Sequence, residues 1–292
     1  MEFFQYQRNP WGQEILVRIS WDLLWAAAIA GLLFIVVHLL FRWFWFPKHG
    51  AAAEGAAGEE GEAERRAAAV PERVPRHSLA SRLFHWIMAA AIIVLLVTAF
   101  FPVLGIQFAW VTIHWIAGLV LIGSVVFHII HATFWMELEA VRVGVADVRD
   151  MWRRFARSVR GSGPAPKKPG KYPLENKLYH HVISLTTVAV MVTGVLMMFR
   201  VQTPFWTRNP YLFSEQTWGW VYVLHGLSAV ALVTLVMAHV YFAVLPEKRW
   251  ITWSMIYGWI DRDRYLEHHD SQRWAILQDT TTTEQPELLN RS

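Results

Sequence analysis

The sequence predicts an all-α integral membrane protein that crosses the bilayer five times. Of its 292 residues 54% are hydrophobic, and 17 are tryptophan, a residue enriched at the membrane–water interface. The apolar residues are concentrated in five runs, each long enough to cross a hydrocarbon core about 30 Å thick. The five predicted spans are residues 21–46, 83–104, 112–135, 180–200 and 218–245.

The first predicted span indicates a permanent accessory helix within an N-terminal segment, residues 1–46. Its apolar run is too long for a signal peptide, and its basic residues, Arg42 and Lys48, lie at the wrong end. Residues 47–74 follow as an Ala/Glu/Gly-rich stretch. Because this stretch lacks the aromatic and branched residues that bury a core, it predicts a flexible linker.

The rest of the chain divides into a four-helix transmembrane bundle, residues 75–246, and a cytoplasmic part, residues 247–292. We expect the cytoplasmic part to contain an amphipathic helix and a polar tail. The Lys and Arg residues set the orientation, because cytoplasmic loops carry most of them. Segments 47–82 and 140–178 carry six and ten, whereas residues 101–113 carry none. The N-terminus is therefore predicted outside and the C-terminus inside.

The chain has no cysteine. This excludes disulfides, iron–sulfur clusters held by this chain, and covalent c-type haem, which needs a C-x-x-C-H motif. No phosphate-binding loop or nucleotide fingerprint occurs either, so we predict no primary catalytic centre in this chain. The net charge of +4 comes from the Lys and Arg residues that set the membrane orientation, so it does not indicate nucleic-acid binding.

Two histidines, His225 and His239, lie 14 residues apart in the last span. Fourteen residues are close to four helical turns, so both imidazoles leave the same helix face about 21 Å apart along the axis. Ionisable residues inside a membrane are costly and usually functional, and imidazole is a common axial ligand of haem iron. The spacing predicts two b-type haems, one near each side of the membrane.

More than one set of histidines satisfies the spacing required of the opposing haem ligands. Depth matching allows His114 with His225 at the outer side and His85 with His239 at the inner side. His128 lies 14 residues beyond His114, so a pair of His128 with His239 satisfies the same spacing. The spacing alone leaves His85 and His128 both open as inner ligands.

Several motifs carry a family resemblance. They are R-x-x-H-W at 82–86, H-x-x-x-G at 114–118, K-Y…V-T-G from 171 to 194, M-I-x-G at 255–258, and the pair His225 and His239. With these motifs the chain, over roughly residues 75–270, resembles the cytochrome b (gamma) subunit of membrane-bound formate dehydrogenase-N and related di-haem respiratory cytochromes b. In that family the ligands come from three helices, which implies His85 with His239 at the inner haem iron and His114 with His225 at the outer one. The resemblance thus favours His85, with His128 as the alternative ligand.

Two further residues are predicted to contact haem. Gly118, one turn after His114, gives a porphyrin face a position without a side chain. Arg82, one turn before His85, is placed to pair with haem propionates, the other reading being a positive-inside charge. The resemblance also implies a quinone beside the inner haem, and here Asn176, Tyr179 and His180 are the candidate residues. The family has an amide pair at this point, of which Asn176 is one and Pro173 replaces the other.

The predicted function is that of the di-haem membrane anchor subunit of a respiratory oxidoreductase in the prokaryotic cytoplasmic membrane. The resemblance implies an iron–sulfur subunit and a molybdenum or tungsten catalytic subunit on the outer face, with electrons passing to menaquinone or ubiquinone. Three alternatives stay open: the cytochrome b subunit of a hydrogenase or another molybdoenzyme, a stand-alone quinone-reactive cytochrome b, and a haem-free channel or transporter. Whether His128, His131, His180 or His181 bind a further haem is also left open.

Overall fold

The computed structural model describes residues 3–45, 70–160 and 167–276. It contains five helices that are long and apolar enough to cross a membrane, which confirms the predicted fold class. In chain order the helices are α1 (Asp22–Trp45), α2 (Leu79–Phe100), α3 (Trp110–Trp135), α4 (Val145–Arg160), α5 (Leu174–Met198), α6 (Glu215–Val244), α7 (Arg249–Tyr257) and α8 (Arg262–His268). Of these, α1, α2, α3, α5 and α6 are the spans.

Helices α2, α3, α5 and α6 form the predicted bundle as two antiparallel pairs. Helix α2 packs along α3, and α5 packs along α6. Ala91 and Ile92 of α2 are buried against Leu121 of α3, and Met191 and Val236 of the other pair pack on the same cluster. Most other apolar side chains of the spans are exposed, as expected for helices whose outer surface meets lipid.

The accessory helix α1 packs against α6, outside the bundle. Nδ1 of His38 and the Tyr241 hydroxyl are hydrogen-bonded at 2.7 Å. Near the end of the same helix, Arg42 forms an ion pair with Glu247. His38 is thus a packing histidine with a polar partner, and α1 is tied to the inner end of the last span.

A β-hairpin precedes α1, and the hydrophobic pattern did not predict it. Strands β1 (Phe4–Arg8) and β2 (Glu14–Ile19) pair antiparallel, and β2 lies against the outer part of α6. The approach is close, because a Cβ added at Gly219 would lie 2.2 Å from the Leu16 carbonyl oxygen. A two-stranded hairpin is marginal alone, so its stability comes from this docking, which local sequence does not reveal.

At the inner end, two distant segments pair to form a small module. Strand β3 (Arg73–Pro75) pairs antiparallel with β4 (Trp259–Asp261), which lies between α7 and α8. Val74 is fully buried in a cluster with Ile260, Tyr265 and Trp274. The end of the predicted linker is therefore a strand, because its partner lies nearly two hundred residues away. Residues 46–69 of that linker region and 277–292 of the predicted tail lie outside the described residues.

Candidate functional site

Two histidine pairs face each other across the bundle at two depths. His114, early in α3, has its ring centroid 6.2 Å from that of His225 in α6. His85, early in α2, has its ring centroid 6.2 Å from that of His239, late in α6. All four residues predicted as ligands are thus brought together in the pairs that the resemblance implied.

The spacing fits two imidazoles on opposite sides of one metal ion. A metal–imidazole bond is about 2.0–2.1 Å long and a ring centre lies about 1.2 Å from its nitrogen, so the centroids of two axial ligands are about 6.4–6.6 Å apart. At 6.2 Å, both pairs come close to this distance. A direct hydrogen bond between the rings would bring the centroids closer, to about 5 Å.

Threonine hydroxyls determine the tautomer of the outer pair. Thr98 in α2 donates its proton to carbonyls of its own helix, at 2.7 and 3.0 Å, so its oxygen accepts from Nδ1 of His114 at 2.8 Å. Thr193 in α5 likewise donates to a carbonyl of its own helix, and its oxygen accepts from Nδ1 of His225 at 3.0 Å. With the proton on Nδ1, Nε2 of each imidazole keeps a lone pair that is available to a metal ion. Sequence reasoning missed both threonines, whose only signal is a polar residue late in an apolar span.

Glycine leaves room beside the outer pair. A Cβ added at Gly118, one turn after His114, would meet no atom of the described residues within 4 Å. A Cβ at Gly194 of α5 would lie 3.3 Å from Cε1 of His225, so α5 approaches that ring closely. The open space at Gly118 leaves room for the porphyrin that is predicted there, while Gly194 lets a neighbouring helix pack on the His225 ring.

The inner pair is surrounded by aromatic rings. Tyr179 of α5 stacks on His239 with centroids 5.4 Å apart, and its hydroxyl donates to the Leu235 carbonyl at 3.0 Å. On the other side Trp86 contacts His85 edge to face and donates its indole N–H to the Met255 carbonyl. Among the described residues, neither His85 nor His239 has a hydrogen-bonded ring nitrogen.

The alternative ligand His128 faces a different partner. Its ring centroid lies 6.2 Å from that of His180, while Phe84 stacks on its other side at 4.3 Å. Among the described residues, His128 and His239 have no ring contact. Since Phe84 precedes His85 and Tyr179 precedes His180, this third pair lies at the same depth as the inner pair.

Arginines concentrate positive charge at the inner end. Arg82 donates to the Ile256 carbonyl, and its buried Nε has no hydrogen-bond partner in the part of the chain that the structure describes. Arg76 is only 3% exposed, its guanidinium lies over the rings of Tyr172, Trp250 and Trp274, and burial lowers its pKa to about 10. Among the described residues, no carboxylate forms an ion pair with either arginine. The inner end therefore offers fixed cations to an anionic group.

The quinone candidates occupy the first two turns of α5. Asn176, Tyr179 and His180 are all half-buried there, and His180 Nδ1 lies 3.3 Å from the Ser184 hydroxyl. Lys177, between them, bonds to Asp147 of α4 at 2.9 Å. Of these three, Tyr179 contacts the predicted haem ligand His239, and His180 contacts the alternative ligand His128.

A sequence model of prokaryotic cytochrome b561 matches residues 76–258, more than half of the chain. The protein belongs to the prokaryotic cytochrome b561 family. The matched region begins just after β3 and ends at Gly258, so it contains all four spans of the bundle and both facing histidine pairs. No curated protein matches the chain.

Membership confirms the coarser part of the predicted function. This cytochrome b561 is a multi-pass membrane protein of the cytoplasmic membrane that binds haem b and takes part in electron transfer. The match supports a membrane cytochrome b without selecting the formate dehydrogenase gamma subunit. The catalytic partner, the quinone, the number of haems and their ligands stay predictions.

Proposed function

We propose that this cytochrome b561 is the di-haem anchor subunit of a respiratory oxidoreductase and connects a catalytic partner on the outer face with the membrane quinone pool. The observation that carries the proposal is the pair of axial-ligand spacings, 6.2 Å each, at two depths of one bundle. A bis-histidine haem b is coordinatively saturated and supplies one-electron transfer when bound.

His114 and His225 would hold the outer haem, and His85 and His239 the inner one. Thr98 and Thr193 keep the proton of the outer ligands on Nδ1 and so orient Nε2 toward the iron. At the inner end Arg82, one turn before His85 and with no partner for its Nε among the described residues, is the candidate cation for a haem propionate. A charge-assisted bond to a propionate would satisfy this buried nitrogen.

At the inner level we assign the haem to His85 and His239 and not to His128 and His180. The two pairs lie at one depth on neighbouring residues, and a porphyrin is too broad for one haem in each. Phe84 stacks directly on His128. The pair of His85 and His239 also agrees with the resemblance to the formate dehydrogenase cytochromes, which gives the second ligand on α2.

The quinone site that this proposal requires lies beside His239. Tyr179 stacks on that ring, and Asn176 and His180 lie within one turn of Tyr179 on α5. Quinone reduction consumes protons, and an imidazole is suited to deliver them near neutral pH. His180, with His128 on one side and His181 stacked at 5.6 Å on the other, is the candidate proton donor.

The outer end has a surface suited to a protein partner. The N-terminal hairpin and the start of α6 border a cleft of about 840 Å³. Trp11 and Tyr211, which line it, are 76% and 91% exposed. Clustered exposed aromatic residues are typical of protein interfaces. This surface supports a protein partner on the side of the His114–His225 pair, and we assign that place to the iron–sulfur subunit, followed by the molybdenum or tungsten subunit, that the resemblance implies.

The test is purification from native membranes under mild conditions. We expect a reduced-minus-oxidised spectrum of b-type haem, two haems per polypeptide by pyridine haemochrome assay, and co-purifying iron–sulfur and molybdopterin subunits. A lone di-haem protein would replace the anchor role by a stand-alone quinone-reactive cytochrome. One haem per chain would contradict the di-haem proposal.

The quinone assignment is tested by His180→Gln, with His181→Gln as the matched control. We expect His180→Gln to keep both haems and to slow haem reduction by a quinol analogue about 100-fold, the lower range for loss of a general acid–base group. Stopped-flow absorbance measures the rate. Equal rates in the two variants would remove His180 from the quinone site.

A further inference from the structure

Helix α4 separates apolar and charged residues onto opposite faces. At about 100° per residue, its apolar residues fall on one side, and its five arginines and two aspartates fall on the other. The large apolar side chains that the structure describes on this helix are exposed, and they are Val145, Val148, Met151, Trp152 and Phe155. Phe155 and Trp152 alone are 59% and 64% exposed.

The charged face is the one that packs on the protein. Asp147 accepts from Lys177 Nζ of α5 at 2.9 Å, and Asp150, only 4% exposed, pairs with Arg273 of the C-terminal segment at 2.8 Å. These two carboxylates hold α4 against the start of α5 and the inner module. The apolar face therefore points away from the protein.

The location of α4 indicates what meets this face. The helix lies in the connection between α3 and α5, two consecutive spans, so it lies where both leave the same membrane surface. Arg149 and Arg160 are exposed and border the apolar face on its charged side. An apolar face flanked by arginines is typical of a helix that lies in the plane of the membrane interface.

We propose that α4 lies in the headgroup layer, with Phe155 and Trp152 among the acyl chains and Arg149 and Arg160 bound to the phosphate groups of anionic phospholipids. Arginine forms bidentate bonds with phosphate, and each basic residue near an anionic surface contributes about 1 kcal/mol, or about fivefold in partition. Through Asp147 and Lys177 the same helix holds the first turn of α5.

Because the chain has no cysteine, single labels report the depth of each face. The full protein in lipid nanodiscs would carry a nitroxide at Phe155→Cys or, on the charged face, at Arg157→Cys. We expect the first label to be accessible to oxygen and shielded from a water-soluble nickel chelate, and the second to show the reverse. Access of the nickel chelate to both labels would mean that both faces of α4 are solvated. A label at 155 shielded from both reagents would mean a protein partner or a second copy. Either result overturns the proposal.

The lipid specificity is tested by the double variant Arg149→Gln/Arg160→Gln in nanodiscs of phosphatidylcholine and phosphatidylglycerol. The matched control is Arg8→Gln/Arg208→Gln, which removes two exposed arginines from the other end of the spans. Native mass spectrometry of retained lipids should show phosphatidylglycerol enrichment reduced about fivefold or more in the first variant only. Equal enrichment in the two variants would contradict selection of anionic lipid by α4.

Discussion

The outer and inner levels of the bundle present the same histidine spacing in different surroundings. At the outer level, His114 and His225 are each hydrogen-bonded to a threonine, Thr98 or Thr193, that is almost completely buried. At the inner level the described residues give the histidine pair ring contacts in place of hydrogen bonds, and additional histidines lie beside it. His225 is half-buried, whereas His239 is exposed.

This difference is consistent with two tasks. A ligand pair with a determined tautomer and closed surroundings suits a haem that only exchanges electrons. A pair beside a tyrosine, an amide and titratable imidazoles suits a haem that serves a protonated substrate. The proposed quinone site follows from this contrast.

The ligand assignment at the inner level is tested by comparing His85→Ala with His128→Ala. We expect His85→Ala to lower the content from two haems to one, because a b-type haem without its second axial imidazole is lost, while His128→Ala keeps both. Haem per polypeptide is measured by pyridine haemochrome assay. If His128→Ala loses a haem and His85→Ala keeps both, the assignment is wrong.

The threonines of the outer level are tested by Thr98→Val and Thr193→Val. Each change removes the acceptor that holds Nδ1–H, and loss of such a partner commonly weakens metal binding 10- to 100-fold. We expect weaker retention and a shifted midpoint potential for one haem only, measured by potentiometric titration. Ser184→Ala, at the inner level, is the control and should leave that haem unchanged. Shifted midpoint potentials of both haems would argue against an outer haem whose environment is independent of the inner one.

The space beside His114 is tested by Gly118→Leu against Gly123→Leu. Both glycines have open space where a Cβ would stand, but only Gly118 lies on the same helix face as His114. A leucine at 118 should compete with the porphyrin, an overpacking cost of about 1–3 kcal/mol, and reduce outer-haem occupancy. Haem absorbance per polypeptide measures this occupancy. Equal occupancy in the two variants would remove Gly118 from the haem contact.

The inner module should weaken in acid. Burial lowers the pKa of His269 to about 4, its Nε2 lies 3.2 Å from the Arg76 guanidinium, and its Nδ1 donates to the Gly170 carbonyl. The unfolded chain takes up a proton near pH 6.5 and the folded chain only near pH 4, so stability falls as the pH drops through that window.

Thermal unfolding at pH 7 and pH 5 measures this effect, with His269→Gln as the comparison, since its amide retains a donor and an acceptor without titrating. We expect the melting temperature of the wild type to fall about 2–4 °C more than that of the variant between these pH values. An equal fall in the melting temperature of His269→Gln and the wild type would show that other groups cause the loss of stability in acid.

The sequence determined by itself the number of spans and the separation of the two levels. Span length follows from the bilayer thickness, and the 14-residue interval of His225 and His239 follows from the helical repeat, both of which are local properties. The predicted bundle of four helices with one accessory helix was therefore right in type and number. The boundaries moved by a few residues, as α5 begins at Leu174 and not near residue 180.

The tertiary structure decided which groups meet. It placed His85, and not His128, opposite His239, brought Thr98 and Thr193 to the outer ligands, docked the N-terminal hairpin on α6 and paired β3 with β4. None of these contacts leaves a periodic signal, because each depends on how distant segments pack. The length of an apolar span and the helical repeat depend on neighbouring residues, whereas the geometry of facing side chains depends on the distances between helices.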